Sequence, residues 1–318
     1  MANPIQDQAE GLRRLLVQDS LRIVTVTSGS AGGGKTTTVI NLAAALARSG
    51  KDVLVIDENE SANNLGGTLG LRAHRDLLDV MRRDKTLDEV ILPCREGFRL
   101  LPAGRGLRVL GKLSPHDQAH LIDCFGRFAQ PVDVVLVDAA PSWASRLLPF
   151  NFSGHEIVVI VSPEPASITA AYALIKHISG EHGKQRFRVL VNKASAETEA
   201  RVIFDNMARV ANRHLTVSLD FMGFVPPDDK LRKSIHLGRS VIESFPAAAS
   251  AAGFRRVAES LTCWPCQEGE RAESTGAGKG LKGFMQCLMQ GSKSNQSSLS
   301  NPINAAAVGL PDPQVSHV

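Results

Sequence analysis

Short apolar runs recur along most of the chain, and stretches with helical periodicity separate them. The runs fall at residues 21–27, 53–56, 98–101, 132–137, 156–161, 187–191 and 221–225. They are rich in Val, Ile and Leu and show no polar alternation, which is the pattern of strands covered on both faces. Between them, residues 37–48, 117–128, 167–179 and 197–212 place apolar side chains at helical spacing. The alternation predicts an α/β fold built on a single doubly wound, mostly parallel sheet with helices on both faces. In such sheets ligands bind beyond the carboxyl ends of the strands. Ahead of the first strand, residues 4–18 predict a helix with Ile5, Ala9, Leu12 and Leu16 along one side.

Past residue 262 the pattern changes to Gly, Ser, Asn, Gln and Pro, and residues 263–318 read as a low-complexity, mostly disordered tail. One island at 279–290 interrupts it. There Leu281, Phe284, Met285, Leu288 and Met289 share a helical face flanked by lysines. Such a face suits a membrane interface, and equally a docking segment for another protein or a chance apolar cluster.

Composition narrows the classes. Thirty-six basic against thirty-two acidic residues give a net charge of +4, too mild to imply a nucleic-acid partner. The pairs Arg13-Arg14, Arg82-Arg83 and Arg255-Arg256 stand apart with no interleaved aromatics, so no nucleic acid is expected. No apolar run is long enough to span a bilayer and no secretion signal is apparent. The expected location is the cytoplasm, peripheral at most on the inner face of the cell membrane. Five cysteines fit a reducing compartment, and Cys263 with Cys266 lacks the second pair that a zinc site needs. Nine scattered histidines form no metal constellation.

The stretch Gly29-Ser30-Ala31-Gly32-Gly33-Gly34-Lys35-Thr36 lies between the first strand pattern and the first helix pattern. A glycine-rich loop in that place wraps closely round phosphates. Its N–H groups point inward at a helix N-terminus, where the dipole favours anions. Lys35 brings positive charge to the outer phosphates and the Thr36 hydroxyl suits magnesium, while Gly29, Gly32, Gly33, Gly34 and Thr37 complete the cradle. Asp57 ends the second run and Asp138 a later one, positions suited to holding Mg2+ or its waters. The expected ligands are ATP or ADP with Mg2+. Lys35, Asp57 and Asp138 are the candidate catalytic residues, and Thr36, Asp57 and Asp138 the candidate metal set.

With these residues in place, the chain resembles the MinD/ParA group of deviant P-loop ATPases, and within it the flagellar-number regulators of the FlhG or FleN type. The resemblance covers about residues 5–260 and is carried by residues 27–38, 53–65, 133–141, 162–176, 191–193 and 223–248. It implies that Asn192 contacts adenine and that Pro226 and Asp228 form a second base-contacting loop. The string Asp7-Gln8-Ala9-Glu10-Gly11-Leu12-Arg13 is similar to the DQAxxLR element of FlhG-like proteins. In that family the element forms a helix that stimulates an FlhF-type GTPase, which would make Asp7, Gln8, Ala9, Leu12 and Arg13 partner contacts. A glutamine amide suits that task because it can orient a water for attack on a γ-phosphate. The resemblance further implies a flagellar switch or transcription-regulator protein as partner. It divides the chain into an activator helix at 1–20, a MinD-like domain at 21–262 and the tail.

Two departures from the family pattern change the expected mechanism. A second P-loop lysine is usual where Ser30 stands, with glycine after it where this chain has Ala31, and a serine cannot carry charge across a dimer interface. A water-positioning aspartate is usual where Asn59 stands, and an amide cannot take a proton from water. Either flanking carboxylate, Glu58 or Glu60, is a candidate substitute. The expectation is a weak or conditional homodimer that binds ATP and hydrolyses it slowly or not at all. The competing readings are an active MinD/ParA-type ATPase of another positioning system, such as partition or cellulose-synthase placement, and a non-enzymatic scaffold with nucleotide permanently bound.

Overall fold

The computed structural model describes residues 21–61, 64–140, 155–264 and 280–299. Among them eight strands form one sheet: β1 (Arg22–Ser28), β2 (Val53–Asp57), β3 (Leu92–Pro93), β4 (Arg99–Pro102), β5 (Val134–Asp138), β6 (His155–Val161), β7 (Arg186–Asn192) and β8 (Ser218–Val225). Their order is β3-β4-β2-β5-β1-β6-β7-β8. All neighbours run parallel except the two-residue edge strand β3, which pairs antiparallel with β4. That edge strand carries too few residues to leave a periodic trace, so the pattern of the chain does not show it.

Six longer helices cover the sheet: α1 (Lys35–Arg48), α2 (Pro115–Gly126), α3 (Pro165–His182), α4 (Glu197–His214), α5 (Ala249–Cys263) and α6 (Gly280–Leu299). Their ends follow local chemistry. Ser114 caps α2 by accepting from the Asp117 N–H, with Pro115 in the first turn where its missing N–H does no harm. Pro165 likewise opens α3, and Gly183 closes it in the left-handed conformation at φ 65°. α1 and α5 pack on one face against Val24, Val26, Val55, Leu136 and Ile160. α3 and α4 cover Ile157, Val159, Phe187 and Val189 on the other face. Both faces are therefore dry, which is why the strands read as unbroken apolar runs. The chain runs from β1 to β2, β4 and β5 on one side and then crosses from β5 over β1 to β6 on the other, so the winding reverses at β1 and opens a crevice at the carboxyl ends.

The tail departs from expectation. α6 is an ordered helix whose apolar face joins the core beside α2, with Leu281, Phe284, Met285, Leu288 and Met289 all buried. Full burial of side chains of that size stabilises by about 1.5–3 kcal/mol each. The face assigned to a membrane is thus covered by the protein's own α2 and Leu110, and residues 281–289 belong to the folded body. The helix at 1–20, with Asp7, Gln8, Ala9, Leu12 and Arg13, lies outside the described residues.

Candidate functional site

β1 delivers the glycine loop to the crevice, and its neighbours fix the loop's path. Gly29 leaves the strand directly against α3; a Cβ there would lie 2.1 Å from the Ala170 carbonyl carbon, so only glycine fits. Gly34 takes φ 87° as it enters α1, and a Cβ there would meet the Asn192 amide nitrogen at 2.6 Å. Ser28 Oγ donates to the Ser30 carbonyl at 2.7 Å and tightens the turn. Ala31 and Gly32 form the exposed rim, while Gly33, Lys35, Thr36 and Thr37 are half-buried behind it. The loop's N–H groups therefore gather at the amino end of a fourteen-residue helix.

Asp57 and Asp138 are register partners across β2 and β5, which sets two carboxylates side by side. Burial raises the Asp57 pKa to about 7, helped by the Asp138 charge, although N–H groups of Asn59, Leu65 and Gly66 pull it down. Burial also raises the Asp138 pKa to about 6 against the opposing pull of the Thr36 hydroxyl and the Lys35 charge. Lys35 is lowered by burial, partly offset by Asp138 and Glu58. The two aspartates differ in what they hold. Asp57 accepts from Asn59 N at 2.9 Å and Leu65 N at 2.8 Å, so its oxygens shape the following loop. Asp138 accepts from Thr36 Oγ1 at 2.6 Å through Oδ2, while its Oδ1 is buried with no hydrogen-bond partner among the described residues.

That orphaned oxygen is informative, since buried carboxylate oxygens ordinarily have donors. Standing beside the Thr36 hydroxyl and the Lys35 ammonium, it fits a magnesium ion or its water. The glycine cradle fits the phosphates. Thr36 and Asp138 would hold the metal, and Lys35 with the loop amides the phosphates; the ion supplies neutralisation of the phosphate charge.

Of the residues that the resemblance assigns to the base, Asn192 ends β7 and pairs in register with Val225, the residue before Pro226. Asn192 Nδ2 donates to the Gly33 carbonyl at 3.1 Å, tying β7 to the phosphate loop. Asp228 plays another part. It caps the helix Asp229–His236 through Lys230 N at 2.8 Å and holds Ser250 through its N–H at 3.0 Å and its hydroxyl at 2.8 Å. Its carboxylate builds the loop that presents Pro226.

One residue escapes a reading of motifs. Asn41, fully buried in α1, donates to the Thr37 carbonyl at 2.8 Å and accepts from Val241 N at 2.7 Å, bracing the phosphate helix. Its signal was a lone amide in an otherwise apolar helix face. Glu58 is buried as well, and its Oε2 accepts from Ala140 N at 2.8 Å. Asn59 turns its own carbonyl oxygen to Ser61 N at 3.0 Å, and Glu60 pairs with Arg108 on the outside.

Strand, glycine cradle, lysine and paired strand-end carboxylates define a P-loop nucleotide-binding protein. The chain belongs to the CobQ/CobB/MinD/ParA nucleotide-binding family, whose family model matches residues 24–241. It is 36% identical over 270 residues to the antiactivator FleN of Pseudomonas aeruginosa, covering 85% of this chain and 94% of that protein. It is 25% identical over 216 residues to the flagellum site-determining protein YlxH of Helicobacter pylori, covering 67% and 72% of the two chains. The fold is also that of the septum site-determining protein MinD complexed with Mg-ADP from Pyrococcus horikoshii, at TM-score 0.56 and 20% identity, over 76% of this chain and 96% of that one.

Proposed function

We propose that this protein is a nucleotide-dependent regulator of flagellar number or placement that binds Mg·ATP, turns it over slowly and acts on an FlhF-type GTPase through residues 1–20. The observation that carries the flagellar reading is the similarity to FleN across nearly that protein's whole length. Slow turnover is supported by chemistry. Asn59 has no proton-accepting carboxylate, and its side-chain oxygen is already engaged by Ser61 N. General-base assistance is worth about 10²–10⁴ in rate where it operates. The nucleotide then serves as a conformational ligand, able to shift a state only by differing in affinity for the two forms. Ser30 in place of a lysine supports a homodimer that is weak or conditional. Reversible membrane contact through Leu281, Phe284, Met285, Leu288 and Met289 belongs to the proposal only with α6 released, because that face is buried in the docked helix.

The test is GTP hydrolysis by the FlhF-type GTPase of the same organism, with the full chain and with its Gln8→Ala variant. Stimulation by the full chain and its loss in the variant are the expected results. No stimulation by the full chain sinks the assigned partner.

A further inference from the structure

Three acidic or amide side chains follow β2 in succession, and the fold sends them in different directions. Glu60 goes outward to Arg108. Asn59 folds back on Ser61. Glu58 alone of the three turns into the crevice. Its N–H donates to the Asp138 carbonyl at 3.2 Å, and its buried side chain crosses to Ala140 N at 2.8 Å. The carboxylate therefore ties the loop after β2 to the segment after β5. Its charge acts on the Lys35 ammonium and on Asp138. A backbone N–H and a P-loop lysine are the kinds of group that receive a terminal phosphate. Here an anion from the chain itself already faces both.

We infer that Glu58 is an internal stand-in for the terminal phosphate, so that a nucleoside triphosphate must displace it and a diphosphate need not. The inference rests on the nucleotide-binding reading above and deepens it by naming which nucleotide the resting site prefers. The physical reason is charge. Asp138 and Glu58 already act on one lysine, and a further phosphate charge in the same corner repels the Glu58 carboxylate. Glu58→Gln keeps an oxygen to accept from Ala140 N while removing that repulsion.

The experiment is equilibrium binding of Mg·ADP and of a Mg-bound non-hydrolysable ATP analogue to the full chain, wild type beside Glu58→Gln and Glu60→Gln. Wild type is expected to bind ADP more tightly. Glu58→Gln should raise affinity for the triphosphate analogue by about tenfold and change ADP affinity little. Glu60→Gln should leave both unchanged. An unchanged affinity ratio in Glu58→Gln overturns the inference, and so does a wild type that prefers the triphosphate. If Glu58→Gln instead lowers ATP turnover at an unchanged ratio, Glu58 positions water and the stand-in role is wrong. Should Glu58→Gln fail to fold, Glu58→Met, of similar volume and no charge, carries the same expectation. A wild type that binds neither nucleotide fails differently, because it removes the nucleotide reading itself.

Discussion

The loops after β1 and β2 flank the same strand, β5, and reach the same crevice, yet they use their polar groups in opposite ways. After β1 the glycines take their shape from close packing against α3 and Asn192, which leaves backbone amides and Lys35 turned toward a ligand. After β2 the polar groups are engaged within the protein: Asp57 by Asn59 and Leu65, Asn59 by Ser61, Glu58 by Ala140 and Glu60 by Arg108. A binding loop holds polar groups in reserve, whereas a regulatory loop can be held closed by satisfying them internally. The first loop is kept for phosphate. The second carries Asn59 where the resemblance implies an aspartate, and its polar groups are held by internal bonds.

The contrast is broken most severely at Gly29. Gly29→Ala forces a Cβ onto the backbone of Ala170 in α3, and neither side can yield without moving a core element. A loss of roughly 3 kcal/mol or more of unfolding free energy is expected in denaturant titration, together with loss of nucleotide binding. An ordinary surface-sized change below about 0.5 kcal/mol would show that the cradle is not packed as described.

Changing one residue in each loop toward the pattern that the resemblance implies is the next largest step. Ser30→Lys with Asn59→Asp supplies both missing side chains, and ATP turnover should rise by at least about tenfold. No rise in steady-state phosphate release would place the deficit elsewhere in the site.

The smallest effect tests the junction between the loops. Asp57 and Asp138 have folded pKa values of about 7 and about 6, above the ordinary carboxylate value. The folded state therefore holds more protons than the unfolded chain in that window, so stability falls as pH rises. The contribution is fully present below about pH 4, the unfolded carboxylate value, and is lost as pH passes through about 6 and then about 7. The melting temperature of nucleotide-free protein should drop by a few degrees between about pH 5 and pH 8, and Asp138→Asn should flatten the slope. A melting temperature that rises over this window would contradict the paired burial of the two acids.

Much of this arrangement was legible beforehand, for identifiable reasons. The seven longer strands announced themselves because both sheet faces are covered, so nearly every strand position is apolar. The phosphate loop announced itself because glycine, lysine and threonine at that spacing, between strand and helix, serve few other purposes. α6 was half legible. Its apolar face at Leu281, Phe284, Met285, Leu288 and Met289 was visible, but periodicity says only that a face needs covering and never by what. Asp228 illustrates the same limit from the polar side, since a carboxylate in a matching loop can hold a ligand or, as here, build the loop with Lys230 and Ser250.

The sequence by itself determined the class of fold and the glycine loop between its first strand and first helix, with Ser30 and Asn59 standing where the resemblance implies a lysine and an aspartate. These follow from local pattern, which the chain states residue by residue. Only the tertiary structure decided that α6 docks on α2, that Asn192 and Asn41 brace the phosphate loop, and that Glu58 rather than Glu60 enters the crevice. Each of these is a contact between segments far apart in the chain. Its partner is chosen by how the strands are ordered in the sheet, and no local spacing encodes that order.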